Sequence, residues 1–158
     1  MLQFGAGLLC WQGGRILSVE QLPRILIVED TVEFANLVRI ALRSLNVDIE
    51  HVTQGNAALQ AIAASLPDLI LLDIALPDMD GWRLLDALRR EPFNRQKEPL
   101  IIVLTGYGDP ANRLMGKLQG VHGYLVKPCV PQSIREAVAS ALQLEPEPDE
   151  PGSSNSTA

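Results

Sequence analysis

Residues 69 to 81, Leu-Ile-Leu-Leu-Asp-Ile-Ala-Leu-Pro-Asp-Met-Asp-Gly, constrain the fold more than any other stretch. Four apolar residues run straight into an acid, Asp73. A short apolar run bounded by turn residues suits a strand covered on both faces. Pro77, Asp78 and Gly81 then break the chain into a tight loop. Asp73 is thereby expected at the carboxyl end of a central strand, where open α/β sheets bind their ligands. A carboxylate in that position is costly to bury unless a cation or several donors offset it.

Apolar runs and helical periodicities supply the rest of the sheet. Arg24 to Val28, Val47 to Thr53, Leu100 to Leu104 and His122 to Val126 read as further strands. Between them, helices are expected from Thr31 through Leu45, over Gly55 to Leu66, Trp82 to Arg90 and Pro110 to Leu118, and finally Pro131 to Leu144. Thr31 is the expected cap of the first helix, whereas Val130 leaves the last one without a capping side chain. Residues 91 to 99 read as a polar loop. Five strands alternating with five helices predict a doubly wound α/β fold. Its parallel sheet takes the flavodoxin-like order 2-1-3-4-5, with helices on both faces.

The 158 residues suffice for one domain with a real core, expected over residues 23 to 144. Residues 1 to 22 read as an N-terminal extension, either disordered or a small hairpin around Gln12-Gly13-Gly14, with disorder preferred because an isolated hairpin is marginal in water. Residues 145 to 158, rich in Pro, acids and Ser, read as a disordered tail. Its four acids, with no base, account for −4 of the net charge of −6. There is no basic footprint, so direct nucleic-acid binding is not expected. No apolar run approaches the roughly 18 residues of a membrane helix, and none is expected to meet a membrane. Two cysteines, Cys10 and Cys129, cannot make a disulfide framework, which makes a reducing cytoplasm the expected compartment.

At the carboxyl ends of the predicted first, third, fourth and fifth strands stand Glu29-Asp30, Asp73, Thr105 and Lys127. Three converging carboxylates repel one another unless neutralised. All-oxygen ligands suit Mg²⁺. A carboxylate can serve as a nucleophile and form an acyl phosphate, with Lys127 and the Thr105 hydroxyl placed to balance and bind its oxygens. Taken singly, each residue has an ordinary reading: Glu29-Asp30 as a solvated helix start, Asp73 as a turn residue, Thr105 as a cap, Lys127 as surface, Tyr124 as core. Their joint placement favours a site. His51 and His122 are isolated and read as surface or strand-edge residues, Cys129 as a small packed residue, and Trp82 as packing at a helix start.

Four stretches carry a family resemblance: Ile-Leu-Ile-Val-Glu-Asp (25–30), Leu-Leu-Asp-Ile-Ala-Leu-Pro-Asp-Met-Asp-Gly (71–81), Val-Leu-Thr-Gly-Tyr (103–107) and Gly-Tyr-Leu-Val-Lys-Pro (123–128). In that order, each at a predicted strand end, they make the chain resemble a response-regulator receiver domain of two-component signalling. The resemblance implies that Asp73 accepts a phosphoryl group from a sensor histidine kinase or a histidine phosphotransfer protein. It implies Mg²⁺ held by Glu29, Asp30, Asp73 and the Ala75 carbonyl. Thr105, Gly106 and Lys127 would surround the phosphoryl group, Thr105 and Tyr124 would be the switch pair, and Pro128 would follow Lys127, often after a cis bond. Ala75 and Tyr107 match the two positions that tune phosphoryl loss. An apolar Ala75 cannot orient a water and Tyr107 can shield one, so a slow-to-moderate autophosphatase is expected.

No output segment follows Leu144, which makes a stand-alone receiver, itself no enzyme, the expectation. Its output would be a protein contact through the fourth helix, fifth strand and fifth helix, where Arg113, Lys117 and Arg135 lie. A homodimer on that face is a further option. The rival reading is a scaffold that binds partners without phosphorylation. Aspartyl-phosphate phosphatases want a second Asp where Ala75 stands. Flavin binding is opposed by Glu29, Asp30 and Glu33 in the loop that would cradle phosphate.

Overall fold

The computed structural model describes residues 10–12, 15–17, 22–90 and 98–144. Strands β1 (Cys10–Gln12) and β2 (Arg15–Leu17) pair antiparallel. The remainder of that extension, most of the 91–99 loop and the acidic tail lie outside the described residues.

Five parallel strands follow: β3 (Arg24–Val28), β4 (Asp48–Val52), β5 (Leu69–Leu72), β6 (Leu100–Thr105) and β7 (Gly123–Val126). Their order across the sheet is β4-β3-β5-β6-β7, which is 2-1-3-4-5 counted from β3. Helices α1 (Val32–Leu42), α2 (Gly55–Ala64), α3 (Gly81–Arg90), α4 (Pro110–Leu118) and α5 (Pro131–Leu142) make the crossovers.

The two-residue alternation of the strands sorts the core into two layers. Ile25, Ile27, Leu69, Leu71, Ile102 and Leu104 face α1 and α5, meeting Val38, Leu42, Ile134 and Val138. Leu26, Val28, Ile70, Leu72, Ile101 and Val103 face α2 and α3, meeting Ala58, Ile62, Leu84 and Leu85. All four residues of β5 are buried. At about 2 kcal/mol for each large apolar side chain removed from water, β5 is held at the centre of the sheet, and Asp73 is held with it.

Element ends depart from the sequence pattern for local reasons. α2 stops at Ala64 rather than Leu66 because Pro67 pushes the preceding residues out of helical backbone, and Ser65 is extended. β7 starts at Gly123 rather than His122, since His122 turns its ring to the Ile101 N–H, with Nδ1 accepting at 3.1 Å. α5 ends at Leu142, where Gln143 takes the left-handed conformation. Thr31 stands at the expected cap position just before α1, but its side chain makes no cap bond to the helix. Its N–H donates to Glu29 Oε1 at 3.0 Å and its hydroxyl lies 3.5 Å from Asp30. Val130 makes no side-chain cap, as expected.

α4 differs from its neighbours. Only Gly116 of it is buried, while Leu114, Met115 and Leu118 are exposed. The helix is closed by Gly120 at φ +61°, a conformation that disfavours any side chain.

Gly81 is where α3 meets the acidic strand end. A Cβ there would lie 2.8 Å from the Ile74 Cα and 2.9 Å from the Asp73 carbonyl oxygen. Both are backbone atoms of a buried strand end and cannot give way. A Cβ at Gly106 would meet no heavy atom within 4 Å. Gly81→Ala is therefore expected to destabilise the fold by about 1–3 kcal/mol, and Gly106→Ala to leave stability within about 0.5 kcal/mol, both read from urea unfolding midpoints.

Candidate functional site

The register explains why the four signals converge. Val28 pairs with Leu72, and Leu72 with Val103, so the next residues, Glu29, Asp73 and Leu104, stand level. Thr105 pairs with Val126, one step beyond that level, and the Lys127 N–H donates to the Thr105 carbonyl at 2.8 Å. One end of the sheet thus gathers Glu29, Asp30, Asp73, Thr105 and Lys127.

Glu29, Asp73 and Thr105 are buried polar residues, while Asp30 is exposed. Carboxylate oxygens of Glu29, Asp30 and Asp73 lie within 4.8 Å of one another. Lys127 Nζ donates to Asp73 Oδ2 at 2.7 Å and to Glu29 Oε2. It also sits 4.3 Å from the centre of the Phe34 ring. Asp73 Oδ1 accepts from the Ala75 N–H at 3.0 Å, so both oxygens of Asp73 are engaged. Burial pushes Glu29 above the usual carboxylate range, against the pull of the Lys127 and Thr31 donors. One ammonium shared by two carboxylates does not offset that desolvation. Burial works against the charge on Lys127 as well, but its bonds to Asp73 and Glu29 outweigh it and its pKa is raised. Three acids against one base leave the cluster negative. An all-oxygen set with a residual negative charge is the chemistry of a Mg²⁺ site, and these residues fit one.

Asp30 is the member of this cluster that lines a cleft of about 480 Å³, together with Ala75, Asp80, Tyr107 and Asn112 among others. Thr105 Oγ1 accepts from the Tyr107 N–H at 3.3 Å. Tyr124 is half-buried, and its hydroxyl donates to the Tyr107 carbonyl beneath the Arg113 guanidinium, which lies 5.7 Å from the ring centre. Ala75 and Tyr107 thus share the cleft, and Gly106 opens onto free space. The Lys127–Pro128 bond is cis.

His51 lies on the edge strand β4, as expected, but is not isolated: its Nε2 lies 2.8 Å from the Glu29 carbonyl and braces the strand end that carries the acids. His122 is exposed at the start of β7. Cys129 is half-buried beside the α1–α5 layer, with its thiol pushed up by burial. Trp82 does pack at the start of α3, and its Nε1–H also donates to Asn112 Oδ1 at 3.2 Å.

Another supporting role is not evident from the sequence. Asp78, in the loop after β5, accepts from the Gly55 and Asn56 N–H groups at 2.8 Å each, so it caps α2 from outside the helix. Gln54, the residue preceding α2, makes no cap of its own. That gap was a readable signal, although it does not say which acid fills it.

The fold and site define a class, and the comparisons agree. The family model described as "Response regulator receiver domain" matches residues 25–139. The chain belongs to the response-regulator receiver domains. It is 35% identical over 132 residues to the luminescence regulatory protein LuxO of Vibrio campbellii, covering 81% of this chain and 28% of that protein. It is 36% identical over 108 residues to the DNA-binding dual master transcriptional regulator RpaA of Synechocystis, covering 68% of this chain and 44% of that one. The chain therefore spans less than half the length of either relative. Among solved structures, a CheY-like receiver domain protein from Methanospirillum hungatei superposes with a TM-score of 0.68 at 29% identity, covering 78% of this chain and 95% of that one. The chemotaxis response regulator CheY4 of Vibrio cholerae does so with a TM-score of 0.68 at 25% identity, covering 77% and 99%. Receiver domains are signalling modules. No helix among the described residues is long and apolar enough to cross a membrane.

The Asp78 cap carries a pH signature. Its carboxyl is held below its ordinary value of 3.8, chiefly by the Asn56 and Gly55 N–H bonds. A lowered folded-state pKa stabilises the fold above the unfolded value, and that stability is lost as pH falls through the folded value. Asp78→Ala is expected to lower Tm by a few degrees, by the same amount from pH 5 to 7. The gap to wild type should close only below pH 3.8. Thermal melts across that range check it, and a gap that instead narrowed near neutral pH would refute it.

Proposed function

We propose that this receiver takes a phosphoryl group onto Asp73 from a phosphohistidine of a sensor kinase or phosphotransfer protein. The observation that carries the proposal is the buried Asp73 with Lys127 Nζ at 2.7 Å, inside a three-carboxylate cluster. A bound Mg²⁺ would supply the positive charge that lets an anionic phosphoryl group approach an anionic carboxylate. Glu29, Asp30 and Asp73 would hold it, with the Ala75 carbonyl completing the protein's share. An Asp73 oxygen attacks phosphorus, the new O–P bond forms, and the P–N bond to the donor imidazole breaks with its electron pair leaving on nitrogen. Lys127 passes from balancing a carboxylate to balancing the phosphoryl oxygens. Drawn toward those oxygens, the Thr105 hydroxyl donates its hydrogen to one of them, and its oxygen moves away from the Tyr107 N–H from which it now accepts. That shift loosens the Tyr107 loop, whose carbonyl tethers the Tyr124 hydroxyl.

The output is then a protein contact on the face built by α4, β7 and α5. Exposed Leu114 and Leu118 stand there beside Arg113 and Lys117, with Arg135 on α5. Such a chain works in the cytoplasm. Ala75 offers no side-chain donor or acceptor to an attacking water, and Tyr107 lines the same cleft, so loss of the phosphoryl group is slow to moderate.

Intact mass after incubation with Mg²⁺ and acetyl phosphate tests the reading. The expected result is one added phosphoryl group on the wild type, none on Asp73→Asn, and none when EDTA replaces Mg²⁺. Labelling that persists in Asp73→Asn would place the acceptor elsewhere. An absence of both label and Mg²⁺ binding would favour a phosphorylation-independent scaffold. Once formed, the label is expected to outlast minutes in buffer, and decay within seconds would refute the roles given to Ala75 and Tyr107.

A further inference from the structure

α4 reaches the rest of the domain through polar ties more than through apolar packing. At its far end Gln119 Nε2 donates to Asp86 Oδ1 at 3.2 Å, and Arg89 donates to the Gln119 side chain and carbonyl. At its near end stands the Trp82–Asn112 bond. Three observations set that bond apart. First, the indole starts from a point locked to the phosphoacceptor strand. The Gly81 N–H donates to the Ile74 carbonyl at 2.9 Å, backbone atoms of Asp73 and Ile74 fill the space beside Gly81, and the Trp82 N–H donates to Asp80 at 2.8 Å. Second, the chemistry of Asn112 is matched atom by atom. The indole offers only a donor and meets the Asn112 carbonyl oxygen, while the Asn112 amide donates to the Asp109 carboxylate at 2.8 Å. Asp109 is the cap of α4, accepting from the Ala111 and Asn112 N–H groups at 3.1 Å. Third, residues of the loop that follows Asp73, Ile74 to Pro77 with Met79 and Asp80, line a cleft together with Tyr107 and Asn112.

We propose that the Trp82–Asn112 bond is a tie across this cleft that holds α4 and the Tyr107 loop in their resting stance. Trp82 and Asn112 are in that sense positioning residues for phosphoryl transfer to Asp73. This rests on the reading of Asp73 as the acceptor. In the stance seen here the Thr105 hydroxyl is engaged by its own loop, and the Tyr124 hydroxyl is tethered to the Tyr107 carbonyl. A bond that keeps α4 and the Tyr107 loop in place opposes the movement that would bring Thr105 onto a phosphoryl group. Its removal therefore frees α4 and speeds labelling. Lys127, Glu29 and Asp30 are untouched by it, so Mg²⁺ affinity is unchanged.

The test compares the full-length chain with Trp82→Phe, Asn112→Ala and the double variant. Trp82→Phe keeps a ring in the core and removes the donor. Asn112→Ala leaves the core alone and removes the acceptor, which keeps the test valid should the Trp variant fold poorly. Amide exchange over residues 110–118, read by mass spectrometry, is expected to quicken about fivefold in Trp82→Phe, the worth of one ordinary hydrogen bond, by more than that in Asn112→Ala, which also gives up its bond to Asp109, and no further in the double than in Asn112→Ala. Labelling by acetyl phosphate is expected to quicken by a similar factor, with Mg²⁺ affinity as in the wild type. Unchanged exchange overturns the tie. Faster exchange with unchanged or slower labelling overturns its positioning role. If the wild type itself takes no label while exchange responds as expected, the acceptor reading fails and the positioning role with it, whereas the tie remains.

Discussion

Glu29 and Asp73 are buried at neighbouring strand ends and share the single ammonium of Lys127. Breaking such a pair by removing the base would leave two desolvated charges without a partner, the expensive case for a buried ion pair. The arrangement is incomplete in a useful way. With Asp30 in the same cluster, one positive charge faces three negative ones, and burial still pushes Glu29 upward. A divalent cation, or a phosphoryl group on Asp73 as proposed above, would change that balance directly, because each would enter the same few ångströms. The sheet exists to hold this imbalance in place: β5 is buried along its whole length, and moving Asp73 outward would expose it.

The consequences spread through the loops rather than through the core. The loop after β5 is pinned on both sides, to α2 through Asp78 and toward α4 through Trp82. α1 and α5 pack their apolar stripes into one closed layer, and α2 and α3 into the other. α4 buries only Gly116 and holds on through the bonds of Asn112 and Gln119 and through Arg113 over the Tyr124 ring. Polar ties of this sort are each worth about 1 kcal/mol, against several for an apolar stripe. What fastens α4 is therefore weaker than what fastens α1 or α5. That difference leaves α4 the most lightly fastened of the five helices among the described residues.

The fold was legible because its signals are local and repeated. The strand order followed from five apolar runs separated by helical periods, and the level of each site residue followed from its place just past a run. Element ends were read less well. Leu66 was drawn into α2 by its periodicity although the proline after it forbids helix there, and His122 was drawn into β7 although its ring is spent on the Ile101 N–H. Thr31 has the composition of a cap, but Glu29 claims its N–H and its hydroxyl turns to Asp30.

What stayed hidden shares one property: the partner lies far along the chain. Asp78 caps a helix that begins 23 residues earlier, His51 braces Glu29 from 22 residues away, and Trp82 meets Asn112 across 30. None of these residues departs from an ordinary local role. Asp78 is a good turn residue, Trp82 a good core residue, Asn112 an acceptable first-turn residue. Their second role exists only once the sheet has brought the loops together. A residue whose chemistry exceeds its local duty is the sequence-level trace of such a role. Trp82 carries a donor that apolar packing does not use, and a buried indole N–H must find an acceptor somewhere. The position of that acceptor on α4, lining the same cleft as the loop that follows Asp73, turns a packing residue into a mechanical link between the site and the surface.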